Sequence, residues 1–337
     1  MIITKTPFRI SFFGGGTDHP LWYRQNGGSV LSTAIDKYCY VTCRYLPPFF
    51  EHKHRVVYSL NELVNTIEEI RHPVVRECLK FFNFEQGLEI HYDGDLPARS
   101  GLGTSSSFVV GLLHALYGLR GEIIDKKKLA QEAIMIEQEK IKDIVGSQDQ
   151  TIAAYGGFNR IDFLHNDDMI VTPMVLSHEK LHAFKSHLML FFTGFTRLAS
   201  DIEKNKLQNF PQKENELRDI QRMVNDAIKI LYSNTIEDFG RLLDEAWQIK
   251  KSLAQGVSTD SIDMVYKKAK DSGALGGKIL GAGGGGFLLL FAKPERKQEI
   301  RNSLSELLEI PFDFDNAGSQ TIFYKPDVWA YPKTNYF

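Results

Sequence analysis

Cysteine is scarce in this chain. Three residues, Cys39, Cys43 and Cys78, are spread through 337 positions, and none has a histidine at a metal-ligand spacing. That excludes a disulfide scaffold and a zinc module. Cys39 and Cys43 stand four apart in a strand-like segment, on one face, and are expected to be reduced and partly buried. Charge of one sign is equally scarce. The net charge is −2 with no block of like charges, so neither nucleic acid nor an anionic membrane is favoured as a partner. No apolar run approaches the roughly 20 residues that span a bilayer. Met1–Ile10 lacks the charged start, apolar core and cleavage site of a secretion signal, and a cytoplasmic location is expected. Repeats and low-complexity linkers are absent. No glycine cluster ends in Gly-Lys-Ser/Thr, which excludes a Walker A loop, and none sets G-x-G-x-x-G between a strand and a helix with an acid about 20 residues on, as a dinucleotide fold does.

What remains is an ordinary globular composition, 43% hydrophobic and 24% charged. The length suggests roughly two domains. Strand patterns cover 2–13, 29–46, 88–93, 158–164, 187–193, 287–292 and 320–325. Helical patterns cover 61–83 (interrupted at Pro73), 105–119, 126–140 after an Asp125 cap, 148–155, much of 199–271, and 294–307. This mixture lacks a strict strand–helix alternation. It predicts an α+β fold of two domains, 1–190 and 191–337.

Glycine is where the sequence becomes specific. Leu96-Pro-Ala-Arg-Ser-Gly-Leu-Gly-Thr-Ser-Ser-Ser107 feeds an apolar helical run. Such a helix start offers unpaired N–H groups and about half a positive charge, which suits phosphate. Pro7-Phe-Arg-Ile-Ser-Phe-Phe-Gly-Gly-Gly-Thr-Asp18 follows a strand; Asp18 can accept sugar hydroxyls and Arg9 can face a phosphoryl group. Lys278-Ile-Leu-Gly-Ala-Gly-Gly-Gly-Gly-Phe287 holds four successive glycines, more than a hairpin needs and costly in backbone entropy. Asp149, in Gly146-Ser-Gln-Asp-Gln, stands at a helix start, as a cap or as a working acid. Glu137 and Glu139 end the preceding helix, and residues two apart do not share a face. Each motif alone is also a plain turn, linker or cap.

Together, and in this order, the motifs resemble those of the GHMP kinases over nearly the whole chain. The resemblance implies an N-terminal domain like ribosomal protein S5 domain 2, a ferredoxin-like C-terminal domain, and ATP with Mg²⁺ in the cleft between them. It implies that Pro97, Ser100, Gly101, Leu102, Gly103, Thr104, Ser105 and Ser106 wrap the ATP phosphates, and that Ser105 and Glu137 hold the metal, Glu139 being the fallback. Asp149 would receive or orient the acceptor's proton, and Arg9 would stabilise the reacting charges. The Gly14-Gly15-Gly16-Thr17-Asp18 form, with Phe192-Thr-Gly-Phe-Thr-Arg197, is most similar to the D-glycero-D-manno-heptose 7-phosphate kinases of this family. Those act at an anomeric hydroxyl and feed nucleotide-activated heptose for surface glycans. Fucokinases and other sugar 1-kinases are the alternative. Gly14–Asp18, Arg197, Gly283 and Gly284 are then the expected acceptor residues, with Arg197 on the terminal phosphate and Lys5, Arg24 and Lys278 as weaker candidates. A small-molecule sugar phosphate and ATP are the expected partners, and a homodimer stays open.

Overall fold

The computed structural model describes residues 1–98, 100–194 and 199–326. In chain order its elements are β1 (Ile2–Phe13), α1 (Pro20–Asn26), β2 (Gly28–Tyr45), β3 (His54–Val57), β4 (Asn61–Val64), α2 (Pro73–Phe82), β5 (Leu88–Gly94), α3 (Thr104–Leu119), α4 (Lys126–Met135), α5 (Gln148–Tyr155), β6 (Phe158–Phe163), β7 (Met169–Pro173), α6 (His178–Ser186), β8 (Leu188–Gly194), α7 (Ala199–Asn209), α8 (Glu214–Tyr232), α9 (Glu237–Ser252), α10 (Asp260–Asp271), β9 (Ala274–Ile279), β10 (Gly286–Ala292), α11 (Lys297–Ser303), β11 (Leu308–Glu309) and β12 (Gln320–Tyr324). Helices and strands are mixed, as the α+β reading requires. Among the described residues no helix is long and apolar enough to cross a membrane.

Two sheets organise these elements. The larger runs β12-β1-β2-β5-β3-β4, with β6 and β7 continuing from the first half of β2. Opposite β1, β2 is long enough to serve two partners on its other edge: Gly28–Thr33 pairs with β6 and Cys39–Tyr45 with β5. The smaller sheet, β11-β8-β10-β9, is antiparallel. β12 lies in the larger sheet against β1, so the last described strand returns to where the chain began.

α3 is buried almost all round, as its apolar sequence demands. It lies close on β1 because Gly111 and Gly118, seven apart, share one face. A Cβ on Gly111 would stand 2.8 Å from Thr6 Oγ1, and one on Gly118 would stand 2.2 Å from Ile2 Cδ1. Thr4 Oγ1 donates to the Gly111 carbonyl at 2.8 Å in the same seam. This packing fixes the head of α3 beside the end of β1. The three cysteines are free and buried, and burial pushes their thiols far above the usual range, where they are inert.

The expected helix over 61–83 is corrected. Residues 61–64 form β4, and the helix starts at Pro73. Proline fits the first helical position, whose N–H has no intrahelical partner, so Pro73 begins the helix rather than interrupting it. The helix expected over 126–140 ends at Met135 and continues as a π-helical turn, Ile136–Ile141, closed by Lys142 in the left-handed region at φ 62°. The helix expected over 294–307 is α11, preceded by a 3₁₀ turn at Pro294–Arg296.

Candidate active site

The second and third glycine motifs meet backbone to backbone. Gly101 has φ 87°, and a Cβ there would stand 2.5 Å from the Leu280 carbonyl oxygen. A Cβ on Gly281 would stand 2.6 Å from Gly101 Cα, and one on Gly286 would stand 2.3 Å from the Ser100 oxygen. No side chain fits at these contacts. Gly283 and Gly284 close against the turn at Val257, whose carbonyl accepts from Gly284 N at 2.9 Å. Gly103, at φ 72°, precedes α3, and no side chain caps that helix. The N-terminus of a 16-residue helix is thus left for an anion. Around it, Leu102 is core, Ser100 Oγ donates to the Pro97 carbonyl at 2.7 Å, Thr104 and Ser106 are buried, and Ser105 is exposed.

Arg9, on β1 in the first motif, joins it to the second and to Asp149. Its Nε donates to Asp149 Oδ1 at 2.7 Å and its Nη2 to Oδ2 at 2.6 Å, the bidentate geometry in which arginine is strongest. Its Nη1 donates to the Gly101 carbonyl at 2.6 Å, and its backbone N to Leu102 O at 3.0 Å. The Arg9 side chain is 6% exposed and that of Asp149 22%. Asp149 lies in the first turn of α5 and also touches the head of α3: a Cβ on Gly103 would stand 3.1 Å from Asp149 Oδ2. Negative charge at two helix starts is favourably placed.

The first glycine turn is held from within. Thr17 Oγ1 lies 2.8 Å from the Gly14 carbonyl and accepts from Ser29 N at 3.1 Å, and a Cβ on Gly14 would overlap the Ser29 carbonyl. Asp18 is buried; Oδ1 accepts from Gly16 N at 2.8 Å and Oδ2 from Gln148 N at 3.3 Å. Burial, then the nearby Asp149, raises its pKa above the usual carboxylate value against the pull of those two amides. Gly146 must be small, because a Cβ would overlap the Asp18 carboxylate. Gly15 lies between Ser11 Oγ and the Gln148 amide, 3.5 and 3.6 Å from where its Cβ would be. Ser11 Oγ and Gln148 Oε1 are buried without a hydrogen-bond partner. Such orphans are rare unless a ligand or water completes them. Sequence reasoning missed both.

Glu137 is fully buried in the π-helical turn, whereas Glu139 faces solvent. Gln150 donates to Glu137 Oε2, and Oε1 has no partner. Burial pushes this carboxyl up to about 7, with Ser106 and Gln150 acting in the opposite sense.

Cations gather beside the first turn. Lys278 and Lys206 are buried, and Lys250 is partly so. Lys206 and Lys250 were not singled out from sequence. The signal was a lysine four residues beyond a buried apolar position on one helix face: Ile202 to Lys206, and Ala246 to Lys250. Arg197 lies outside the described residues. Lys5 sits over the Tyr38 ring, and Arg24 pairs with Asp167 at the surface.

Known proteins share this organisation. Residues 65–157 match the GHMP kinases N terminal domain and residues 227–310 the GHMP kinases C terminal domain. The chain is 31% identical to the D-glycero-alpha-D-manno-heptose 7-phosphate kinase of Campylobacter jejuni, over 90% of this chain and 93% of that one. It is 28% identical to the L-fucokinase/L-fucose-1-P guanylyltransferase of Bacteroides fragilis, over 90% of this chain but 36% of that longer protein. A crystal structure of a D-glycero-D-manno-heptose 1-phosphate kinase from Bacteroides thetaiotaomicron superimposes with a TM-score of 0.79, covering 96% of this chain and 100% of that one at 24% identity, which attests the shared fold. With both domains matched and one relative similar along its length, the chain belongs to the GHMP kinases, as a sugar kinase that transfers a phosphoryl group to an alcohol.

Proposed function

We propose that this kinase transfers the γ-phosphoryl group of ATP to the anomeric hydroxyl of a D-glycero-D-manno-heptose 7-phosphate, an early step toward nucleotide-activated heptose for surface glycans. The observation that carries the reading is the bidentate Arg9–Asp149 pair, set between an uncapped helix start and a glycine turn lined with unpartnered polar atoms. The likeness to the 7-phosphate kinase of C. jejuni supports this choice of acceptor.

In this reading the amides at Gly101–Ser106 hold the ATP phosphates, and Ser11, Gln148 and the Gly14–Asp18 turn receive the sugar. Asp149 takes the proton of the anomeric hydroxyl as its oxygen bonds to the γ-phosphorus and the bond to ADP breaks. Arg9 holds that carboxylate in place and faces the charge that spreads over the transferred group. Loose phosphoryl-transfer transition states ask for such positioning and neutralisation more than for covalent chemistry. A family requirement for Mg²⁺ fits the buried, unpartnered Oε1 of Glu137, a hard oxygen donor; Ser105 on the first turn of α3 would be its companion. Bound there, the ion would screen the phosphate charges.

A coupled assay of ADP release tests the reading on a panel of D-glycero-D-manno-heptose 7-phosphate, the same heptose without phosphate, L-fucose and D-galactose. The highest kcat/KM is expected for the heptose 7-phosphate, with the product phosphorylated at the anomeric position. A preference for L-fucose would transfer the assignment to the fucokinases.

A further inference from the structure

We propose that Lys206, Lys250 and Lys278 form one pocket for the phosphate monoester that the acceptor carries, separate from the phosphate loop at the head of α3. The proposal rests on the sugar-phosphate reading given above.

Buried lysines normally have a carboxylate partner. Lys206 has one: its Nζ lies 2.8 Å from Glu203 Oε2. Among the described residues Lys250 and Lys278 form no ion pair. Lys278 Nζ donates to the Phe12 carbonyl at 2.9 Å, and Lys250 Nζ to the carbonyls of Ile279 and Gly281 at 2.8 and 2.6 Å. An ammonium carries three donors, so each lysine keeps at least one for a ligand.

Their neighbours sharpen the imbalance. Burial pulls the Lys278 ammonium down to about 7, with Arg9 and Lys206 adding repulsion and Asp18 opposing them. Burial and the charges of Lys278 and Lys206 hold Lys250 well below the usual lysine range. Nearby, Asp149 is taken by Arg9, Glu203 by Lys206, and Asp18 by two backbone amides. What this corner lacks is a doubly charged anion, which a phosphate monoester supplies.

The location fits the acceptor. Lys250 and Lys278 line a small cavity together with Phe12, Phe13, Gly14 and Gly15. Lys206 rides on α7, and the segment after it roofs the same turn: a Cβ on Gly16 would touch Leu217 and Phe210. Two elements, α9 and β9, thus bring their ammonium groups to the first glycine motif, and the Lys206 charge on α7 acts on Asp18 of that motif and on both of them. Two sources of phosphate reach this cleft, the acceptor's own group and the group transferred from ATP, and kinetics separate them.

The test compares Lys206→Met with wild type on heptose 7-phosphate, on heptose lacking phosphate, and on ATP. KM for the phosphorylated acceptor should rise at least tenfold, while KM for the plain sugar and for ATP should move less than twofold. Lys206→Arg, which keeps the charge, should restore most of the loss. An equal rise for both acceptors overturns the proposal. A fall in kcat with both acceptors alike also overturns it, by assigning the lysines to the transferred group. A second arm needs no sugar: inorganic phosphate without nucleotide should raise the melting midpoint of wild type, and Lys206→Met should lose at least half of that shift. Absence of protection in wild type, or equal protection in the variant, overturns the pocket. Because that arm does not depend on which sugar is preferred, a failure of the heptose reading is told apart from a failure of the pocket.

Discussion

Two charged groupings share one cleft and are built on opposite principles. Arg9 and Asp149 are matched to each other: three of the guanidinium's five donors go to both carboxylate oxygens and to the Gly101 carbonyl. Lys250 and Lys278 are incomplete, held by backbone carbonyls and repelled by their neighbours. The first arrangement is a finished tool. Its geometry exists before substrate arrives, so little reorganisation is needed at the moment of reaction. The second carries unbalanced positive charge, and an anion bound beside it would relieve that repulsion. A kinase that must act only on the right acceptor has reason to be rigid where the chemistry occurs and unsatisfied where the acceptor is recognised.

The comparison breaks most severely at Asp149. Asp149→Asn removes the proton acceptor and leaves Arg9 buried opposite a neutral amide. A fall in kcat of about a thousandfold is expected, in the range that a lost acid–base and electrostatic partner produces. The apparent affinity for ATP should stay within twofold, since the isosteric change leaves the backbone amides at the head of α3 in place. Steady-state kinetics with direct nucleotide titration checks this. A kcat within tenfold of wild type would sink the role given to Asp149. The melting midpoint should fall as well, because stripping one partner from a buried pair costs roughly 3 kcal/mol or more.

Gly103 offers a graded disturbance of the same pair. Gly103→Ala adds a Cβ 3.1 Å from both Arg9 Cγ and Asp149 Oδ2, on a backbone at φ 72°. Gly121 is the control: its φ is 74°, but a Cβ there would meet nothing within 4 Å. Both substitutions carry a left-handed strain of about 1 kcal/mol. Similar losses of melting midpoint are therefore expected. Only Gly103→Ala should lose turnover, by about ten- to a hundredfold, since small misplacements of reacting groups are costly. If Gly121→Ala loses turnover equally, strain rather than contact at the pair is responsible.

How much of this was legible in the sequence depends on the scale of the signal. Glycine clusters are legible because four in a row serve no ordinary turn, and Gly101, Gly281 and Gly286 do stand where backbones touch. The long amphipathic helices after residue 199 are legible from periodicity. Residues 61–64 were misread because β4 is four residues long, too short for its alternation to outweigh a helical pattern nearby. Lys206 and Lys250 were passed over for a related reason. On an amphipathic helix a lysine at the edge of the apolar stripe normally lets its head escape to water. Whether it escapes is decided by what packs above it, here the turn at Gly14–Gly16 and the third glycine motif, far away in sequence. Ser11 and Gln148 were invisible for want of any pattern, since an orphaned hydroxyl exists only once everything around it has been placed.

The gentlest test acts on the incomplete grouping and should move stability in the direction opposite to Asp149→Asn. In the folded chain Lys278 has a pKa of about 7, against 10.5 ordinarily. Below pH 7 the free protein carries the buried charge at full cost. Between 7 and 10.5 the unfolded chain holds a proton that the folded one has released, so this group makes stability rise with pH across that window. Lys278→Met keeps an apolar stem of similar length and removes the charge, giving up the 2.9 Å bond to Phe12 O. The variant should melt a few degrees above wild type at pH 6 to 7. Its advantage should shrink as pH climbs toward 10, because wild type sheds the same charge by titration. Thermal denaturation across pH 6–10 reads this out. A difference independent of pH would mean that Lys278 acts through packing alone. Added inorganic phosphate should close the gap from the other side, by stabilising wild type near pH 7 and the variant less, which a merely structural lysine would not do.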